Sequence, residues 1–122
     1  MNEIPFLAID HFQLAMPADE EETARIFFRD LLGMVEIPKP VELAKRGGCW
    51  FQSGVVQIHV GVDKSFHPAV KAHPALRCRD YSALVSKLRA AGVYVRDDFE
   101  VAGTTRCHVL DPWGNRIELI SQ

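Results

Sequence analysis

His11 and His73 stand 62 residues apart in a chain of 122, and His59 and Glu118 stand 59 apart. Between them, two helix-patterned stretches end at Gly33 and Gly92, again 59 apart. A chain that repeats itself at half its own length reads as two copies of one supersecondary unit, each needing a partner surface to bury its apolar face. Chemistry repeats along with the pattern. Each half carries a ligand-type side chain near its start and another near its end, which points to two modules gathered around one shared site.

The first half reads β-α-β-β-β. Residues 7–16 alternate, with Phe12, Leu14 and Met16 on one face and His11, Gln13 and Ala15 on the other. Asp19, with Glu22 three residues on, predicts a helix cap and capping box. Ala24, Phe27, Phe28 and Leu31 then follow at helical spacing, and Gly33 supplies the left-handed stop. Met34–Ile37 is a short strand. Val41–Lys45 makes one helical turn, and Cys49–Gln52 and Val55–Val62 form a hairpin around Ser53-Gly54. The second half repeats the order: a strand over His73–Arg79, then a helix capped by Asp80, with Tyr81, Leu84, Val85 and Leu88 as its stripe and Gly92 as its end. Strands over Tyr94–Arg96, Thr104–Leu110 and Arg116–Ser121 complete it, with a tight turn at Asp111-Pro-Trp-Gly-Asn. The expected architecture is α+β: one domain over 1–122, built from modules at about 4–62 and 73–122 with a linker at about 63–72.

Composition excludes several functions. The chain is 48% hydrophobic and 25% charged with a net charge of −2, an ordinary globular balance with no basic block for nucleic acid or a membrane surface. Its three cysteines, Cys49, Cys78 and Cys107, are an odd and scattered set. They read as thiols in a reducing compartment, with Cys49 and Cys107 in the core rather than acting as nucleophiles. The opening lacks a signal-peptide pattern, so the expected location is cytoplasmic.

With the apolar strand faces turned to the helices, the opposite faces carry Gln13, Gln57, Arg77 and Arg116 together with His11, His59, His73 and Glu118. Polar residues on the concave side of a curved sheet suit a ligand cleft. Imidazoles with one carboxylate suit a borderline divalent ion (Zn, Ni, Co, Mn or Fe), and three or four such ligands leave positions for substrate oxygens. His11, His59, His73 and Glu118 are the candidate metal ligands, with Gln57 an alternative to His59. His59 and Glu118 are the candidate proton-transfer groups. Gln13, Gln57, Arg77 and Trp50 are the candidate substrate contacts, with Arg106 and Arg116 as further anion-binding groups. His67 and His108 read as ordinary hydrogen-bonded or surface histidines.

The chain resembles the glyoxalase / bleomycin resistance / extradiol dioxygenase superfamily, the vicinal oxygen chelate proteins. The resemblance spans essentially the whole chain and rests on IDHFQLAMP, FFRDLLGM, QIHVGVD, AHPALRC, LRAAGV and above all DPWGNRIELI. It implies paired βαβββ modules in a cupped sheet, a divalent metal at the module starts and ends, a small-molecule substrate and a homodimer. It implies an enzyme of glyoxalase type, a lyase or isomerase acting on vicinal oxygens. Two other readings come with the family: a metal-free drug-binding protein of bleomycin resistance type, in which Trp50, Phe51 and Trp113 stack on a planar ligand, and a fosfomycin-type thiol transferase. Glyoxalase I enzymes present a carboxylate in each module, whereas here the first module offers His59.

Overall fold

The computed structural model describes residues 3–122. The order of elements is β1 (Phe12–Met16), α1 (Glu21–Ala24) running into a π-helical stretch (Arg25–Leu31), β2 (Val35–Ile37), α2 (Val41–Ala44), β3 (Cys49–Ser53) and β4 (Val56–Val62). The second module follows as β5 (Ala75–Cys78), α3 (Tyr81–Ala90), β6 (Val95–Asp98), β7 (Arg106–Leu110) and β8 (Arg116–Ser121). Two four-stranded mixed sheets result, ordered β1-β4-β3-β2 and β5-β8-β7-β6. In each, the first strand of the module lies parallel to the last, and the two remaining pairings are antiparallel. The duplication read from the sequence is therefore a duplication of topology, as two tandem βαβββ modules.

One apolar cluster joins the modules. Leu14, Phe27, Phe28, Phe51, Ile58 and Val60 from the first meet Val85, Leu88, Val109, Ile117 and Leu119 from the second. The helix stripes and the apolar strand faces predicted to meet do so. Their opposite faces lie away from this shared core. Gly48 is needed where β3 starts: its φ is +87°, and a Cβ there would lie 2.2 Å from the carbonyl oxygen of Val60.

The DPWGN turn is a strut between the modules. Asp111 Oδ1 accepts the backbone N–H groups of Trp113 and Asn115 at 3.0 and 2.8 Å, and its Oδ2 accepts Asn115 Nδ2 at 2.7 Å. The same Nδ2 donates to the carbonyl of Ala15 in β1 at 2.8 Å, while Asn115 Oδ1 accepts the N–H of Ala69 at 2.9 Å. A turn motif at one end of the chain thus holds the first strand and the inter-module connector. Asp111 and Asn115 are both buried, and burial pushes the Asp111 carboxyl above its ordinary range despite these donors.

Several local expectations need correcting. β1 begins at Phe12, not Leu7, because β4 itself begins only at Val56, just beyond the Gly54-Val55 turn, and leaves residues 7–10 little strand to pair with. Asp19 is not a helix cap. It takes φ +64°, so its backbone is spent on the turn, and Glu20 holds the cap position without a side-chain cap bond. Beyond α1, the N–H of Leu32 reaches the carbonyl of Phe27, five residues back, at 2.9 Å, so the helix widens where regular α-helix was expected. In the second module Asp80 does cap α3, accepting the N–H of Ala83 at 3.4 Å. β5 starts at Ala75 instead of His73, after Pro74, which lacks an N–H to contribute. β6 runs to Asp98, and β7 starts at Arg106.

Candidate metal centre on the second module

β7 and β8 bury both faces at their middles, so polar side chains there are held in a low-dielectric setting. Across this pair His108 lies opposite Glu118, and across β5–β8 Ala75 lies opposite Glu118. His73, two residues before Ala75, is thereby brought to the same carboxylate. Its Nε2 is 3.0 Å from Glu118 Oε1, and Arg106 Nη1 donates to Glu118 Oε2 at 2.6 Å. His73, His108 and Glu118 each present a ligand atom within 4.8 Å of the other two, the one such group of three among the described residues.

Hydrogen bonds outside this group fix its histidines. His73 Nδ1 donates to the carbonyl of Lys71 at 2.7 Å, and His108 Nε2 donates to Asp98 Oδ2 at 2.8 Å. Outer partners of this kind set the tautomer and aim of a ligating ring. The Asp98 carboxyl is held below its ordinary range, first by the N–H of Glu100 and then by His108. For Glu118, burial acts upward, but His73 and Arg106 outweigh it and hold the carboxyl below its ordinary range. It is an anion at neutral pH.

The first module builds something different at the equivalent positions. His11, His59 and Trp50 form a ring stack: His11 on His59 at 3.9 Å and 13°, and Trp50 on His59 at 3.8 Å and 6°. Gln57 Oε1 accepts His59 Nε2 at 3.0 Å, and Asp10 Oδ1 pairs with His11 Nδ1 at 2.8 Å. Burial, and after it His11, holds the His59 ring below its ordinary pKa, so it is neutral and keeps Nδ1 as a lone pair.

The predicted site residues therefore fall into two groups within one chain. His73 and Glu118 come together on the second sheet; His11 and His59 come together on the first, with Gln57 and Trp50. Gln13 lies opposite His59 in β1 and is exposed. Arg77 is exposed on β5 and lines a cavity of about 610 Å³ between the modules, with Leu32, Met34, Val56, Cys78 and Leu84. Arg106 joins the second group through Glu118. His108 is hydrogen-bonded, as expected, but it is also buried among the ligand-type groups, which the sequence reading of it as an ordinary histidine missed.

Neither family models nor curated proteins match the sequence. Solved structures do. A protein assigned to the glyoxalase family from Bacillus anthracis is 44% identical, covering 100% of this chain and 99% of that one, with a TM-score of 0.94. The fosfomycin resistance protein FosX from Listeria monocytogenes superposes with a TM-score of 0.75 at 16% identity, covering 96% of this chain and 94% of that one. Lactoylglutathione lyase from Agrobacterium tumefaciens superposes at 0.70 with 19% identity, covering 97% and 96%. The fold and its paired modules are those of the vicinal oxygen chelate proteins. Within that superfamily, the chain belongs to the glyoxalase family.

Proposed function

We propose that this protein is a divalent-metal-dependent enzyme of glyoxalase type, a lyase or isomerase whose small-molecule substrate presents two vicinal oxygens. The observation that carries this reading is the approach of His73 Nε2 to Glu118 Oε1, at 3.0 Å on a largely buried polar face. The donor set fits the group: two imidazole nitrogens and a carboxylate within 4.8 Å suit a borderline divalent ion. His73 and Glu118 would hold that ion, with His11 and His59 as the candidate ligands of the other module. When bound, the ion supplies Lewis-acid polarisation of vicinal oxygens and stabilises negative charge developing on them.

The chain's own residues account for the rest. His59, kept neutral by burial, has Nε2 tied to Gln57, so its one lone pair, on Nδ1, serves either as a ligand or as the proton acceptor and not both. Arg106 restrains Glu118, and exposed Gln13 and Arg77 are placed to bind polar or anionic parts of the substrate. The polar faces of the two sheets lie away from the shared core, so one copy's first module would meet its partner's second module in a homodimer. Among the described residues no helix is long and apolar enough to cross a membrane, and the expected site of action is the cytoplasm.

The second reading is a metal-free binding protein, favoured by the flat Trp50–His59–His11 stack as a wall for a planar ligand. A thiol transferase of fosfomycin type is a further alternative, since FosX shares the fold. Metal content of untagged protein, set against His73→Ala, separates the first two. About one transition-metal ion per chain, lost in the variant, together with turnover of α-ketoaldehyde–thiol adducts, supports the enzyme. Metal-dependent addition of a thiol to fosfomycin instead would select the transferase. No metal after incubation with Zn, Ni, Mn and Fe(II), with tight binding of a planar drug, would select the binding protein.

A further inference from the structure

The two polar sheet faces differ in charge. On the first module, strand register gathers Gln13, Gln52, Gln57, His59, Trp50 and Ile37 on one face, and none of them carries a fixed charge. On the second, the same alternation gathers Arg77, Arg96, Arg106 and Arg116 with two carboxylates, Asp98 and Glu118. Four guanidinium groups against two carboxylates leave this face cationic in a chain whose net charge is −2, and a divalent ion would add to the excess. Among the described residues Arg77, Arg96 and Arg116 form no ion pair. Unpaired cations gathered on one concave face focus a potential that draws anions to it.

Register also shows where an anion fits. Arg77 on β5 and Arg106 on β7 both lie opposite Ile120 of β8, one on each side. Neighbouring strands are about 4.8 Å apart, so the two Cα atoms stand about 10 Å apart with a half-buried apolar side chain between them. Arg106 spends Nε on Thr104 and Nη1 on Glu118, which fixes its guanidinium plane and leaves Nη2 to a ligand. Glu118 is two residues back along β8, about 7 Å at the rise of a strand. Two guanidinium groups thus straddle an apolar floor beside the candidate ligand carboxylate.

We propose that the substrate is an organic oxyanion, a carboxylate or a phosphate, clamped between Arg77 and Arg106 over Ile120, with its uncharged remainder on the Trp50 and Ile37 face of the first module. This rests on the reading that the two polar faces meet around a small-molecule substrate, and it deepens that reading by giving the substrate's charge and its orientation. Guanidinium groups bind planar oxyanions through paired, charge-assisted hydrogen bonds. Arg96 and Arg116 steer the anion toward the clamp. A neutral substrate would gain nothing from either.

The test is calorimetric titration of the full-length protein, metal-free and after Zn(II) loading, with phenyl phosphate, phenylacetate, inorganic phosphate and phenol. The metal-free arm separates the clamp from direct coordination of the ion. Phenyl phosphate or phenylacetate is expected to bind roughly tenfold more tightly than phenol or inorganic phosphate, and the tighter of the two identifies the oxyanion. Arg77→Gln, an exposed change outside the candidate ligands, is expected to weaken that binding about tenfold or more. Arg29→Gln, which removes the same charge from an exposed helix surface, leaves it unchanged. Phenol or inorganic phosphate binding as tightly as phenyl phosphate and phenylacetate, or Arg77→Gln matching wild type, overturns the inference. Equal losses in Arg77→Gln and Arg29→Gln also overturn it, since net charge alone then explains the binding. Zn(II) uptake without Arg77-dependent anion binding removes this inference and leaves the metal reading standing. Arg77-dependent binding in protein that takes up no Zn(II) supports the inference and removes the metal.

Discussion

Trp50 and His108 occupy the same position in the two modules: Trp50 lies opposite His59 across β3–β4, and His108 lies opposite Glu118 across β7–β8. The duplicated scaffold has thus been filled with an aromatic stack on one side and a cluster of potential ligands on the other. Trp50→Ala removes the stack on His59 and leaves the second module alone. It should lower unfolding free energy by about 1–2 kcal/mol, from a stacked aromatic contact and some lost burial. Urea denaturation would show this, with metal affinity unchanged.

Acid should weaken the fold through His59. Its folded pKa lies below the unfolded value of 6.5, chiefly from burial, so the unfolded chain takes up the proton first. The associated stability is complete above 6.5 and declines as pH falls from there through the folded value. Glu118 adds a second loss further down, because its folded pKa lies below 4.5 and its contribution disappears as pH falls through that lower value. Urea midpoints measured from pH 8 to pH 5 should fall in wild type and flatten in His59→Gln; equal slopes in the two proteins would contradict this assignment.

Asn115→Ala should be among the more damaging single changes outside the candidate site. It removes donors to Ala15 and Asp111 and the acceptor for Ala69, and it leaves a buried carboxylate with fewer partners. A loss of about 3 kcal/mol is expected, read as a lower denaturation midpoint. A shift no greater than that of an exposed substitution would show that the strut is dispensable.

The thiols should be unreactive in the native state. Burial pushes Cys49 up to about 11 and raises Cys78 and Cys107 above their ordinary values, so none is a thiolate at neutral pH. Iodoacetamide at pH 7 should label them only after denaturation, and serine replacements should retain metal binding. Rapid native labelling of Cys107 would reopen a nucleophilic role.

Legibility followed the strength of the local signal. β8 coincides with the stretch its sequence predicts, Arg116–Ser121, because polar and apolar residues alternate from Arg116 to Leu119 directly after the Asp-Pro-Trp-Gly-Asn turn. The helix stripes and the glycine stops at Gly33 and Gly92 were equally plain. β1 was drawn too long because alternation continues through residues 7–10, where β4 offers too little strand to pair with. Asp19 carried the right composition for a cap but lies in a left-handed turn, a tertiary outcome. His108 reads from sequence as a lone strand histidine, more often hydrogen-bonded or at the surface than a ligand, and only register shows its neighbours. The paired residues Trp50 and His59 are 9 apart in sequence and His108 and Glu118 are 10 apart, so a uniform 59-residue offset pairs His108 with buried Cys49 instead of Trp50. A one-residue slip moves a side chain to the other face of the sheet. Pairing β7 to β8 outward from the DPWGN turn puts His108 opposite Glu118, and that signal was available in the sequence.

Anomalous diffraction from crystals of the Zn- or Mn-loaded protein would decide whether the second-module face holds a divalent ion. One peak per chain is expected, at about 2.0–2.3 Å from His73 Nε2 and from a Glu118 oxygen. A peak held by His11 and His59 alone, or no peak at all in crystals grown with excess metal, would contradict that expectation.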